Sequence, residues 1–147
     1  MLTNIWQKEM CIACSIKENN LFNREPEEEG ILRQAKENGT GFIAFSPLAQ
    51  GLLTNRYLNG IPEDSRMARG GFLKKEQLTE DVLSKIKALN KMAEERGQTL
   101  AEMALAWVLK DDLVTSVIIG ASSVAQLEDN LKAIRNTSFT KEELRRL

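Results

Sequence analysis

Histidine is absent from the 147-residue sequence. That removes the side chain best suited to proton transfer near neutral pH. Acid–base chemistry in this chain would rest on Asp, Glu, Lys, Cys or the single tyrosine, Tyr57. Cysteine is scarce as well: Cys11 and Cys14 form one Cys-x-x-Cys. Without a second pair or a histidine, the sequence offers no tetrahedral zinc site within one chain. The redox form of the motif sits at a helix N-terminus, whereas Met10–Ile16 reads as a buried strand. Residues three apart in a strand point to opposite faces, so the expectation is two buried, reduced cysteines. Neither sign of charge dominates. A net charge of -1 gives no electrostatic case for nucleic acid or an anionic membrane surface as partner. No apolar run is long enough to span a bilayer. Residues 1–9 lack the basic start and long apolar core of a signal peptide, which leaves the cytoplasm as the expected location.

What is present is the composition of an ordinary soluble domain, 42% hydrophobic and 28% charged, with no repeat and no low-complexity linker. Residues 2–9 read as the end of a helix and 10–16 as a first strand. A polar loop over 17–25 leads to a helix that opens on Pro26, has Glu27, Glu28 and Glu29 against its N-terminal dipole, and ends at Asn38-Gly39. Gly41–Phe45 is continuously apolar, as in a parallel strand covered on both faces. A long loop over about 54–77 follows. Thr79 caps a helix stopped by Gly97, and Thr99 with Glu102 forms a capping box for the next. A third strand is expected over 114–119, a helix to Ala133, and a last helix opened by Thr140 and Glu143. Strand-helix-strand-helix-helix-strand-helix is a parallel α/β pattern.

The most informative stretch is Val117–Asn130. An apolar strand runs into Gly120-Ala121-Ser122-Ser123, and a helix pattern begins at once. Ser123 is a good N-cap, and Gln126, three residues on, completes a capping box. The first helical turn carries unpaired N–H groups and the positive dipole end, so it can hold a phosphate. Gly120 permits close approach to the backbone, and Gln126, Asp129 and Asn130 share one side of the first two turns. Taken alone, the same pattern is how many α/β units turn with no ligand.

A second stretch upstream joins it. Phe45-Ser46-Pro47-Leu48-Ala49-Gln50-Gly51-Leu52-Leu53-Thr54 resembles the aldo-keto reductases. The resemblance continues through Gly60-Ile61-Pro62-Glu63-Asp64-Ser65-Arg66-Met67 and ends in Val117–Ser122, covering about residues 10–147. It is closest to the branch that holds the bacterial L-glyceraldehyde 3-phosphate reductases and the potassium-channel β subunits. The resemblance implies the C-terminal part of a (β/α)8 TIM barrel, about three βα units, read as one partial domain over 1–147. It makes 41–45 the seventh strand and 114–119 the eighth. The cofactor it implies is NADP(H), with phosphates on the loops after those two strands. Ser46, Leu48, Gln50, Gly51 and Leu52 would line the pyrophosphate. Arg56 would lie over the cofactor, and Ser65 and Arg66 would join a clasp. Ser122 would meet the 2′-phosphate beside Gly120, with Gln126, Asp129 and Asn130 toward the adenosine. Backbone donors, hydroxyls and guanidinium groups suit such an anion.

The sequence also departs from the pattern. A complete barrel needs about 250 residues. The first five strands of the family have no counterpart here, and with them go the catalytic tyrosine, its lysine and aspartate partners and the histidine that orients substrate. Tyr57 falls in the loop after the seventh strand and is not that tyrosine. Where the family has Gln-Asn-x-Tyr-Asn, this chain has Ile16-Lys17-Glu18-Asn19-Asn20, so Ile16 stands for the nicotinamide-binding Gln and Asn19 for the stacking Tyr. The expectation is a chain that keeps the phosphate and adenosine loops of an NADPH-dependent carbonyl reductase and has no reductase activity alone. The alternatives are a non-catalytic NADP-binding or interaction module, or an inactive gene remnant. A partial barrel leaves sheet edges open, so association is expected, by self-pairing or with a complementary barrel fragment.

Overall fold

The computed structural model describes residues 14–63, 65, 67–68 and 73–147. The expected helix over 2–9, the start of the first strand, and Cys11 lie outside the described residues.

Among the described residues, three strands form one parallel sheet in chain order: β1 (Cys14–Glu18), β2 (Gly41–Phe45) and β3 (Ser116–Val117). β1 pairs with β2 from Cys14 opposite Gly41 to Glu18 opposite Phe45. It therefore runs two residues past the expected end at Ile16. Lys17 and Glu18 are tolerated there because β1 is an outer strand. Position also explains why Cys14 is an exposed free thiol and Ile16 is 56% exposed, where burial was expected. β2 is central, and its burial alternates: Phe42 and Ala44 are fully enclosed, while Phe45 is 39% exposed. Helices thus cover one face of β2 completely and the other only in part, against the expectation of cover on both. β3 is shorter than the expected 114–119. Its ladder is extended by Thr115 N–H donating to the Phe42 carbonyl and Ile118 N–H to the Ala44 carbonyl, both at 2.8 Å.

The expected helix from Pro26 is two helices, α1 (Glu25–Glu28) and α2 (Ile31–Glu37). Gly30 separates them at φ +73°, a left-handed conformation that no helix can continue through. The next two helices follow the sequence closely. α3 (Glu80–Glu95) and α4 (Leu100–Val108) begin at Thr79 and Thr99, whose hydroxyls accept the Val82 and Glu102 N–H groups at 3.2 Å. Their apolar stripes (Ile86, Leu89 and Met92; Leu100, Met103, Trp107 and Val108) pack with Phe42 and Ala44 of β2 into one core. Burying a side chain of this size contributes about 1.5–3 kcal/mol. Trp107 meets two cations, the Arg24 guanidinium 5.1 Å and the Lys110 ammonium 4.1 Å from its ring centre. Lys110 also pairs with Glu27 at 2.9 Å, tying α1 to the end of α4.

After β3 come α5 (Val124–Leu131), a tight 3-10 turn over Lys132–Arg135, and α6 (Lys141–Arg146). No helix among the described residues is long and apolar enough to cross a membrane.

Candidate functional site: a cleft at the carboxyl ends of β2 and β3

In a parallel α/β sheet, ligands gather where loops leave the carboxyl ends of the strands. Here those loops are residues 46–57 after β2 and 118–123 after β3. The first is built from unusual backbone. Ser46, Ala49 and Gln50 take φ values of +50°, +45° and +58°, and Gly51 follows at +101°. Each left-handed non-glycine residue costs about 1–3 kcal/mol, so the surroundings must hold it. The Leu48 carbonyl accepts the N–H groups of Gly51 at 2.8 Å and Leu53 at 3.1 Å. Thr54 Oγ1 donates to the Gly51 carbonyl at 2.7 Å. Leu53 and Tyr57, both essentially without exposure, anchor the far end of the loop in the core.

The second wall is the start of α5. Ser123 Oγ accepts the Gln126 N–H at 3.2 Å, as its N-cap position predicts. The other half of the expected capping box is different. Gln126 Oε1 accepts from Ser122, from its N–H at 2.7 Å and its hydroxyl at 2.9 Å, rather than from the Ser123 N–H. The amide side chain reaches one residue further back and closes the Gly120–Ser123 turn on itself.

Between the walls lies a cleft of about 600 Å³. Ser46, Leu48, Gln50, Gly51, Arg56, Gly120, Gln126, Asp129 and Asn130 line it together, so most residues singled out in the two sequence stretches meet at one place. The others stand elsewhere. Leu52 is 8% exposed and belongs to the core. Ser65 is fully buried, its hydroxyl accepting the Ala68 N–H at 3.1 Å. Ser122 is exposed and engaged with Gln126, outside the wall. Arg66 lies outside the described residues. The cleft also takes in Thr99 and Ala101 from the start of α4, Thr54, Asn55 and Tyr57 from the β2 loop, and Ile118 and Ile119 after β3. The Thr99 capping box was the one sequence signal for the α4 contribution, but it fixes a helix start and not what that start faces.

The wall is nearly neutral. Arg56 brings its one positive charge among the described residues. The Asp129 carboxylate is paired with Lys132 at 2.6 Å, and that bond raises the Lys132 pKa above the ordinary lysine value. Asn130 is 5% exposed, and its Nδ2 has no hydrogen-bond partner among the described residues. A buried amide nitrogen left unpaired costs about 1–3 kcal/mol. Ile16 and Asn19, the positions matched to nicotinamide contacts, lie apart from this wall. Ile16 faces solvent on the outer strand, and the buried Asn19 amide has neither its oxygen nor its nitrogen bonded among the described residues.

Comparison with known proteins fits this geometry. The sequence model of the Aldo/keto reductase family matches residues 4–147. The chain is 54% identical over 129 residues to the L-glyceraldehyde 3-phosphate reductase of Escherichia coli K12, covering 85% of this chain and 37% of that protein. It is 41% identical over 120 residues to a probable voltage-gated potassium channel subunit beta of Arabidopsis thaliana, covering 80% of this chain and 37% of that one. Among solved structures, the glycerol dehydrogenase of Gluconobacter oxydans superposes with a TM-score of 0.71 at 28% identity, over 90% of this chain and 40% of its own. The holo form of an aldo-keto reductase from Bacillus halodurans gives 0.67 at 27%, over 96% and 43%. The chain thus spans a little over a third of the length of the curated relatives it matches.

Proposed function

Because the chain belongs to the aldo/keto reductase family, with a three-stranded sheet that is part of a (β/α)8 barrel, we propose that it forms the NADP(H)-holding wall of such a barrel. The cofactor's phosphates and adenosine lie in the cleft between residues 46–57 and 118–130. The observation that carries this is the orphaned Asn130 Nδ2 in the wall of a cleft of about 600 Å³. A buried donor without a partner, beside left-handed backbone and one guanidinium, fits a polar, anionic ligand rich in acceptors. Ser46, Gln50 and Gly51 bear on the pyrophosphate, Arg56 supplies positive charge, and Gln126 and Asn130 face the adenosine with Asp129. Leu52 supports the first wall from the core, and Ser122 supports the second through Gln126. NADP(H) is favoured over NAD(H) by the resemblance.

When bound, the cofactor supplies the hydride for carbonyl reduction, and the protein supplies orientation and a proton donor. The described residues of this cleft supply orientation. The one tyrosine is almost wholly enclosed, and the described wall has no lysine. Reductase activity by this chain alone is therefore not expected. The similarity to a channel β subunit supports a second reading, a nucleotide-binding interaction module. In either reading the partner is the remaining strands of an aldo/keto barrel. Two observations support this. The sheet ends on two outer strands, and Val124, Leu127, Leu131 and Ile134 form an exposed apolar stripe along α5 and its 3-10 turn.

The test is a titration of the purified chain with NADPH, followed by cofactor fluorescence at low and moderate salt. Saturable binding that weakens with salt is expected of a phosphate-dominated site. Folded protein that binds neither NADPH nor adenosine 2′,5′-bisphosphate would overturn the reading. Sedimentation of the same sample tests the partner. Association in the absence of other barrel strands would show that the sheet edges or the apolar stripe accept a second copy.

A further inference from the structure

We infer that Asn20 is a positioning residue for the cleft: it does not line the cavity itself, and it fixes the left-handed Ser46 on which the β2 loop turns. This rests on the binding reading above for its ligand, though not for its geometry. Asn20 is 1% exposed and every polar group of its side chain is used. Its Oδ1 accepts the N–H groups of Phe22 and Asn23, both at 2.9 Å, which folds the chain sharply after β1. Its Nδ2 donates to the Ser46 carbonyl at 3.0 Å and to Glu18 Oε1 at 3.1 Å. The backbone of Asn20 is pinned as well, with its N–H on the Asn23 carbonyl at 2.9 Å and the return bond at 3.1 Å.

The bond to Ser46 is the informative one. Ser46 has φ +50° and is the first residue past β2. Its carbonyl accepts from Asn20 on one side and from the Ala49 N–H at 2.9 Å on the other. The peptide plane between Ser46 and Pro47 is thereby fixed. With it go the three left-handed non-glycine residues that shape the loop. A non-glycine residue holds such a conformation only where its neighbours over-determine it. The Asn20 amide is itself 1% exposed, so the clamp reaches Ser46 from the enclosed side of the loop while Ser46 faces the cleft.

The substitution Asn20→Asp separates the two halves of the side chain. A carboxylate still accepts from Phe22 and Asn23, so the turn is kept. It cannot donate to Ser46, and it sets a negative charge against that carbonyl and against Glu18. Two readouts on the full chain decide the matter. The first is amide hydrogen exchange and needs no ligand. Exchange at Ala49, Gly51, Leu52 and Leu53 should accelerate about tenfold while the α3 amides stay as they were, since one hydrogen bond's worth of local stability is lost. The second is affinity for adenosine 2′,5′-bisphosphate, expected to fall about tenfold for the same reason.

Each is repeated in a Ser46→Gly background. Glycine adopts a left-handed φ without the steric cost, so the clamp is no longer needed and the penalty of Asn20→Asp should shrink to about twofold. If Asn20→Asp does not fold, the double variant should. An equal penalty in both backgrounds, unchanged loop exchange, or a double variant that also fails to fold would overturn the inference. Absence of nucleotide binding in the native chain would overturn the binding reading alone, because the exchange experiment still judges the clamp.

Discussion

Replacing Arg96 by alanine should cost this chain about 3 kcal/mol, and the reason is visible around one guanidinium. The Arg96 side chain is 5% exposed. It donates to Gln98 Oε1 at 2.9 Å, to Glu143 Oε1 at 2.6 Å and to the Ser138 carbonyl at 2.9 Å, and it stacks on Phe139 at 3.8 Å from the ring centre. Three segments meet there: the end of α3, the chain between the 3-10 turn and α6, and α6 itself. Truncation takes this partner from the part-buried Glu143 carboxylate and Gln98 amide oxygen, while water reaches the exposed Ser138 carbonyl. Removing one partner of a buried pair costs about 3–5 kcal/mol. Glu143 is 21% exposed, so water recovers part of that, and the lost stacking adds about 1 kcal/mol. The sum stays near the lower bound. For a domain of this size it corresponds to a fall in Tm of about 10 °C. Urea unfolding followed by far-ultraviolet circular dichroism reads it as a lower midpoint at constant slope. Arg96→Lys should recover only part, since an ammonium cannot fork to several acceptors while stacking on a ring. A loss under about 0.5 kcal/mol, the range of ordinary surface changes, would refute this account.

Glu143 carries an acid dependence linked to the same contact. Its pKa lies below the ordinary glutamate value of 4.5, first because of the hydrogen bond from the Thr140 N–H and then because of Arg96. A depressed carboxylate contributes stability above its unfolded pKa and loses it as pH falls through the folded one. Stability should therefore drop below about pH 4.5, and less steeply in Arg96→Ala, as an acid titration of the urea midpoint would show. Asn130→Leu should raise the stability of the ligand-free chain by about 1 kcal/mol, by removing an unpaired buried amide. The same change should weaken adenosine 2′,5′-bisphosphate binding, and an unchanged affinity would remove Asn130 from the site. Ala49→Gly should stabilise by about 0.5–1 kcal/mol, since Ala49 holds φ +45°; thermal melts that show a loss would deny the strain.

The helix starts were legible because their causes are local. Ser and Thr at positions 79, 99, 123 and 140 accept the N–H three residues on, which depends on nothing beyond the first turn. The two loops of the cleft were legible because both leave the carboxyl ends of strands. What failed depended on neighbours. The strand Met10–Ile16 reads as buried by composition, but Cys14 and Ile16 are exposed because β1 is an outer strand of this sheet. The burial of Ser65, which the resemblance sets in a clasp with Arg66, likewise depends on its neighbours, its hydroxyl accepting the Ala68 N–H. The Gly30 break depends on φ at a single residue, and a glycine within a helical pattern does not announce its conformation.

The two walls of the cleft are braced unequally. The loop after β2 is strained, and strain persists only where something rigid opposes it. Several opposing elements lie within the described residues. Leu53 and Tyr57 are rooted in the same core as Phe42, Met103 and Val108. Asn20 reaches the loop from the end of β1, and Thr99 and Ala101 bring α4 to its edge. On the far side, α5 and its 3-10 turn pack against α4, while the turn before α5 is held by the backbone bond from Ile118 to the Ala44 carbonyl and by Gln126. The β2 loop is therefore held from several directions, and the exposed turn that leads into α5 by fewer contacts among the described residues. If ligand binding orders anything, it is the α5 side, and hydrogen exchange at residues 118–126 should slow on addition of adenosine 2′,5′-bisphosphate while residues 49–53 stay as they are. Equal slowing of both walls would mean that the β2 loop is not preformed.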